Sequence, residues 1–258
     1  MTAAISIGMG GLAGWKILQR VEPRQIEALR KDSAVQRSIA HMRENIAKVR
    51  SPEALVGDYR LLSGVLSAFG LEADVANKTF IRKVLESDPA DRSALVNRLG
   101  DKRYLRMAEA LGMGKDKAPA DLADRLSEAF VSREHERRIG AAHEDLRLAM
   151  NGRRELQLFA GREASDRTLW YEAMSSPPLR KLLEGALGLS PSVGKLPVER
   201  QNEEFMRAAQ RAFGTTSLAA LADPARTEQV IQRYLARSQL VESVSANRYS
   251  TALALLRR

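Results

Sequence analysis

The amino-acid sequence predicts an all-α protein, and two observations carry this prediction. Apolar residues recur at alternating spacings of four and three along most of the 258 residues, which is the repeat of one helix face. Several of these segments begin with serine or aspartate followed by proline, a pattern typical of helix N-termini. No segment shows the apolar–polar alternation of a strand. We therefore expect a compact, all-helical body over residues 15–242.

The N-terminal residues favour a flexible arm followed by a helix. Residues 1–14 are small and apolar and include four glycines, so they cannot form a stable helix by themselves. We expect this segment to be mobile and to order only against a partner. A helix is predicted from near Trp15, with an interruption around Pro23 because proline removes a backbone donor.

Capping residues mark the helices that follow. Ser33 and Gln36 match a capping box. Ser51, followed by proline, is predicted to cap a helix that ends at Gly70 in a left-handed C-cap. The buried face of that helix is predicted to carry Leu55, Tyr59, Leu62, Leu66 and Phe69. Further helices are predicted at about 78–87, 89–99, 102–111, 166–175, 178–187, 198–213 and 225–241, with a longer helical stretch at 120–162.

Two parts of the chain resemble each other. The segment Ala68-Phe69-Gly70-Leu71 is echoed by Ala186-Leu187-Gly188-Leu189, and weaker echoes follow downstream. The pattern predicts duplicated helical units at residues 51–114 and 177–241, joined by longer connector helices. Unrelated helices that end with the same C-cap residues would also resemble each other in this way. Both a duplication and a shared type of C-cap therefore explain the resemblance.

The positive charge of the chain lies at its two ends. The net charge is +9, and residues 1–50 carry nine basic and four acidic side chains, while residues 226–258 carry six and two. The segment between them is neutral. Basic ends can bind nucleic acid, an anionic membrane or an acidic protein partner. Alternatively, the arginines simply occupy solvated helix faces.

The residue types needed for recognised catalytic or metal chemistry are missing. The chain has no cysteine and three histidines. His135-Glu136 opens like a zinc-protease motif, but Ile139 stands where the second histidine is required. Residues 112–115 lack the flanking glycine and hydroxyl of a phosphate loop. We expect solvated histidines, a solvated, ion-paired face in the Arg-rich stretch 133–167, no catalytic residue, no cofactor and no metal.

Several segments carry a resemblance to a known family. They are residues 10–20, 58–62, 68–71, 80–86, 94–99, 177–181 and 211–214. In these segments the chain resembles an alphaproteobacterial family of unknown function whose genes are often found among flagellar genes. The resemblance implies a motility-associated helical protein that is not an enzyme, and it supplies no site residues.

We therefore expect a non-enzymatic structural or assembly protein of the bacterial flagellum, which acts through contacts with other flagellar or motility proteins. Its interaction elements would be the two ends, including an amphipathic basic tail at residues 243–258. The residues expected to make contact are Trp15, Arg20, Val244, Arg248, Tyr249, Leu253, Leu256 and Arg257. The alternative is a basic nucleic-acid-associated regulatory protein, suggested by a pI of about 10.0.

The sequence also bears on location. No stretch approaches the length of apolar residues that spans a membrane, and no charged region precedes an apolar run at the N-terminus. We therefore expect no membrane span and no cleavable signal peptide, and a cytoplasmic or flagellum-associated protein.

Overall fold

The structure, a computed structural model, describes residues 7–113 and 119–256, with side chains up to residue 241. Over these residues the chain forms fourteen α-helices and three short 3-10 helices and has no β-strand, which confirms the predicted all-α class. The described chain divides into two compact units. The first holds residues 20–138, and the second holds residues 7–19 and the chain from residue 139 onward.

The first helix, α1 (Gly11–Arg30), contributes residues to both units. It begins four residues before the predicted start near Trp15. It also continues through Pro23 without the predicted interruption. Pro23 is exposed, so water can replace the hydrogen bond that its missing N–H would have made.

The segment before α1 packs against the second unit, contrary to the prediction of a flexible arm over residues 1–14. The side chain of Ile7 is buried, and its carbonyl oxygen lies 2.6 Å from Nε2 of His143. The N–H of Gly11 donates to the carboxylate of Asp145 at 2.6 Å. The prediction of a flexible arm is therefore wrong from residue 7 onward. Residues 1–6 lie outside the described residues.

The glycines of this segment allow close packing. A Cβ on Gly14 would lie well under 3.0 Å from the carbonyl oxygen of Met9, a separation that real Cβ atoms do not reach. Gly11 has a φ of +65°, and a Cβ there would clash with Gln239. Glycine at these two positions therefore reflects close approach of the backbone and a left-handed conformation.

The first unit contains most of the helices expected from the sequence. They are α2 (Ser33–Asn45), α3 (Pro52–Gly57), α4 (Tyr59–Phe69), α5 (Lys78–Glu86), α6 (Leu95–Arg98), α7 (Arg103–Leu111) and α8 (Leu122–Gly140). The core is formed mainly by α4, α5 and α7, and its buried members include Leu61, Leu62, Val65, Leu66, Ile81, Val84 and Met107. The apolar stripes predicted from sequence spacing therefore face this core.

Two aspartates place helix starts differently from the prediction. Asp32, and not the predicted Ser33 capping box, caps α2, because its side chain accepts hydrogen bonds from the N–H groups of residues 34 and 35. Asp58 caps α4 and so divides the single helix predicted between Ser51 and Gly70. Tyr59 is then the first residue of α4 and is exposed, outside the predicted buried stripe.

The helix predicted at 89–99 is reduced to the single turn of α6. The side-chain amide of Asn97 donates to the carbonyl oxygens of Pro89 and Asp91 at 2.8 Å each. These bonds give the loop carbonyl groups hydrogen-bond partners outside a helix. The asparagine side chain thereby competes with helix formation for backbone partners.

The second unit is built from the remaining helices and the first part of α1. They are α9 (Glu144–Gln157), α10 (Asp166–Ser175), α11 (Pro177–Leu187), α12 (Val198–Phe213), α13 (Leu218–Leu221) and α14 (Pro224–Leu256). Trp170 and Phe205 pack in its core with ring centroids 5.9 Å apart. Helix α9 continues through Asn151 and Gly152. A Cβ on Gly152 would lie under 3.0 Å from Leu182, so this glycine allows α9 and α11 to approach closely.

The two units share an order of elements. In each unit a long helix (α2 or α9) packs on a central helix (α4 or α11). Two further helices of the unit pack against each other, α3 with α5 in the first unit and α10 with α12 in the second. A four-residue helix follows (α6 or α13), and the unit closes with a long helix (α8 or α14), with α7 added in the first unit.

The central helices also end in the same way in both units. Gly70 ends α4 and Gly188 ends α11, each with a φ of +71°, and in both the N–H of the following residue donates to the carbonyl oxygen five positions back. A guanidinium lies against each glycine, from Arg133 of α8 and from Arg237 of α14. Shared C-cap chemistry alone does not account for matching partners, so the comparison favours a duplication that begins at α2 and α9.

Candidate interaction surfaces

Trp15 lies in the core of the second unit, so its predicted role in partner binding is wrong. Its side chain is 0% exposed, and its indole N–H donates to the Glu228 carboxylate at 3.0 Å. The guanidinium of Arg153 lies 5.2 Å from the ring centroid, within the range of a cation–π contact. Trp15 and Leu18 mark the buried face of α1. The sequence around a tryptophan is the same whether its side chain is buried by its own chain or by a partner, so the sequence does not distinguish the two.

Arg20 lies on the surface, where the prediction placed it. It follows the exposed Ile17 by three residues, so the two share the outer face of α1. This face is available to a partner, although it is narrow and consists of few apolar atoms.

The predicted tail is the last part of α14. Upstream, α14 packs against α9 and α11 and buries Thr227, Val230, Ile231, Tyr234 and Leu235. Burial then ends: Leu240 is 64% exposed and Val241 is 66% exposed. The helix nevertheless continues to Leu256, because elongation of a formed helix avoids the cost of nucleation.

Helical repeat places most of the predicted tail residues on one face. Tyr249 and Leu253 each follow a buried residue of α14, Ile231 and Leu235, by 18 residues, which is about five turns. The face that is buried upstream therefore becomes apolar again at the end of the tail, where Ala252 and Leu256 join these two residues, after an interval in which Glu242 lies two turns beyond Leu235 on the same face. The side chains of these four lie outside the described residues, as does Arg257.

Two other predicted tail residues relate differently to this face. Val244 precedes Leu253 by nine residues, about two and a half turns, so it lies on the opposite side of α14 and outside the predicted apolar face. Arg248 follows the buried Val230 by 18 residues, so the helical repeat places it at the face that is buried upstream and not outside that face, contrary to the prediction.

A surface groove in the second unit was missed by the sequence analysis. It is a shallow, open groove of about 450 Å³ between the start of α10, one face of α12 and the turn after α12. It is lined by Arg167, Glu203, Met206, Arg207, Gln210, Arg211 and Thr216. The only sequence signal is the spacing of the α12 residues at 203, 207, 210 and 211, which places them on one helix face.

The Arg-rich stretch 133–167 forms the predicted ion pairs, but several are buried. Arg138 contacts Asp32 at 3.2 Å and Glu134 at 2.8 Å, and all three side chains are at most 14% exposed. The hydrogen bond from Arg138 lowers the pKa of Asp32 to about 2, with help from the backbone N–H of Val35. The prediction of a solvated face is therefore wrong for this cluster, which joins α2 to α8.

His135 is also buried, contrary to the prediction that the histidines are solvated. Its side chain is fully enclosed in the first unit, and Nε2 lies 2.9 Å from Oε1 of Gln25 on α1. Within the described ranges, no group of three histidine, aspartate or glutamate side chains is arranged to hold a metal ion. No described helix has both the length and the hydropathy of a membrane span.

Comparison with known proteins identifies the family. Residues 68–226 match the family described as "Protein of unknown function (DUF1217)". The chain belongs to this family. The match runs from the end of α4 to the start of α14 and so includes parts of both units. Membership of a family of unknown function, as the sequence resemblance implied, is thereby confirmed.

A solved structure shares the fold of this DUF1217 chain. It is the crystal structure of a protein from Agrobacterium tumefaciens, with a TM-score of 0.73 and 21% sequence identity. The likeness covers 88% of this chain and 92% of the other. At this identity the comparison establishes the fold alone. No curated protein matches the sequence.

Proposed function

We propose that the protein is a non-enzymatic structural or assembly protein of the bacterial flagellar system, which acts through protein–protein contacts. The resemblance to a family encoded among flagellar genes supports the cellular context. The course of α14 supports the mode of action, since the helix continues for about six turns after Leu235, the last buried residue of α14 among those whose side chains are described.

The tail is the proposed docking element. Residues 242–256 add about 22 Å of helix, and Tyr249, Leu253 and Leu256 continue the stripe that α9 and α11 cover upstream. An amphipathic helix of this kind binds by placing its apolar face in a groove of a partner. Such binding depends on buried apolar area, so it persists as the salt concentration rises.

A pair of substitutions in the tail tests this proposal. Leu253→Asp places a charge on the apolar stripe, while Thr251→Asp places the same charge on the opposite side of α14. Both proteins are expressed in the source bacterium in place of the native chain. We expect Leu253→Asp to abolish swimming in soft agar and co-purification with the flagellar basal body, and Thr251→Asp to preserve both.

Three results would contradict the proposal: normal swimming by cells that lack the protein, equal effects of Leu253→Asp and Thr251→Asp, or binding to duplex DNA that weakens steeply with salt. The third would favour the nucleic-acid-associated regulator instead, because each phosphate contact releases a counterion. Helix content, measured by circular dichroism, controls for misfolding of the variants.

A further inference from the structure

The groove of the second unit is held in shape by buried hydrogen bonds. The side-chain amide of Asn202, fully buried on α12, donates to the carbonyl oxygen of Arg167 at 2.9 Å. On the other wall, the indole N–H of Trp170 donates to the carbonyl oxygen of Thr216 at 2.7 Å. Both walls are thereby fixed to the core, so a ligand would meet a formed site and lose little conformational entropy from it.

The charge of the groove is positive. Arg167, Arg207 and Arg211 line it together with one carboxylate, that of Glu203. Glu203 lies 3.3 Å from Arg207 and 4.0 Å from Arg167, and it also accepts a hydrogen bond from Arg200 at 2.9 Å. Glu203 thus contacts three guanidinium groups, and Arg207 also donates to Glu204, outside the groove lining, at 2.8 Å. Arg211 is exposed, and no carboxylate of the described residues pairs with it.

We propose that this groove binds an acidic segment of a partner protein, with carboxylates on the arginines and an apolar side chain on Met206. Guanidinium groups bind carboxylates through paired hydrogen bonds, and methionine adapts to apolar side chains of different shape. The groove contains no tail residue, so this proposal goes beyond the flagellar one and can fail or succeed independently of it.

The lining residues favour a peptide over a nucleic acid. No aromatic side chain lines the groove, so bases have no surface on which to stack. Glu203 stands among the arginines and would repel a continuous run of phosphates. An acidic peptide can place its carboxylates beside the arginines and an apolar or neutral residue beside Glu203.

The test uses the full-length protein and a fluorescent short peptide that alternates glutamate with leucine, followed by fluorescence anisotropy. A peptide with glutamine in place of glutamate controls for charge. Arg211→Glu reverses a charge in the groove, and Arg92→Glu makes the same change at an exposed position of the first unit. We expect Arg211→Glu to weaken binding about tenfold or more, as expected when a close charge pair becomes repulsive, and Arg92→Glu to leave it within about twofold.

Binding of the acidic peptide by the native protein, loss with glutamine and loss with Arg211→Glu alone would support the proposal. It is overturned if the native protein does not bind the acidic peptide, or if the glutamine peptide binds equally well. It is also overturned if both charge reversals weaken binding equally, or if an oligothymidylate displaces the peptide and binds more tightly.

Discussion

The docking of the N-terminal segment can be tested at one glycine. In Gly14→Ala, the new methyl group would lie well under 3.0 Å from the carbonyl oxygen of Met9. This obstacle is backbone and cannot rotate away, so the segment before α1 must move. Gly8 is the matched control, since a Cβ there meets no atom within 4 Å.

The expected loss of stability follows from the contacts of the segment. Detachment exposes Ile7, which costs about 1.5–3 kcal/mol. It breaks the hydrogen bond from Gly11 to the charged Asp145, which costs about 1.5–3 kcal/mol, and that of the Ile7 carbonyl with His143, which costs about 1 kcal/mol. Alanine in place of glycine in a helix returns about 1 kcal/mol. The freed residues regain backbone entropy of about 1–2 kcal/mol each, which offsets much of this cost. We therefore expect a net loss of about 1–3 kcal/mol, the usual cost of an overpacked contact.

Thermal unfolding followed by circular dichroism measures the effect. For a protein of this size, the loss corresponds to a decrease in Tm of about 2–12 °C for Gly14→Ala, while Gly8→Ala should stay within about 1 °C of the native protein. Equal Tm values for the two variants would refute the reasoning. The segment would then be a flexible arm, as its composition alone suggests.

Two further predictions concern buried groups. Trp15→Ala should lower the free energy of unfolding by about 3–5 kcal/mol in urea titrations, whereas Ile17→Ala on the exposed side of α1 should change it by less than about 1 kcal/mol; similar effects would contradict the burial of Trp15. Asp32→Asn keeps a side chain that can cap α2 but removes the ion pair with Arg138. Because the pKa of Asp32 is about 2 in the folded protein, below its unfolded value, the stabilising effect of its charge is complete above about pH 4. The gap in urea midpoint between native protein and variant should therefore close as the pH falls from about 4 to about 2, and a gap that is independent of pH would contradict the assignment.

Local signals in the sequence were sufficient where the chemistry is local. Ser51 begins a helix and Gly70 ends one in the left-handed conformation, as predicted. Each depends on residues within about four positions along the chain. The all-α class follows from the same signals, repeated along the chain.

Long-range contacts account for the wrong prediction of a flexible N-terminal arm. The glycines at 11 and 14 indicated flexibility because composition does not distinguish a mobile glycine from one required by a close neighbour. The neighbours of this segment, His143 and Asp145, lie more than 130 residues away along the chain. The groove likewise draws its lining from residues 167 to 216. No spacing rule joins such positions, so the candidate site could not be predicted.

The comparison of the two units bears on the origin of the proposed docking tail. The closing helices α8 and α14 each place an arginine against the C-cap glycine of the central helix. Helix α8 ends at Gly140, after which the chain continues into α9, whereas α14 continues to Leu256 on the same apolar repeat. If the units arose by duplication, α14 still packs in the second unit as α8 does in the first, and α14 has in addition become longer. An extension without a partner would gain nothing from keeping apolar residues in phase with the buried stripe, because exposed positions of a helix are free to be polar. The phase of Tyr249 and Leu253 with Ile231 and Leu235, which returns after the charged Glu242, is therefore the observation on which the proposed docking of the tail rests.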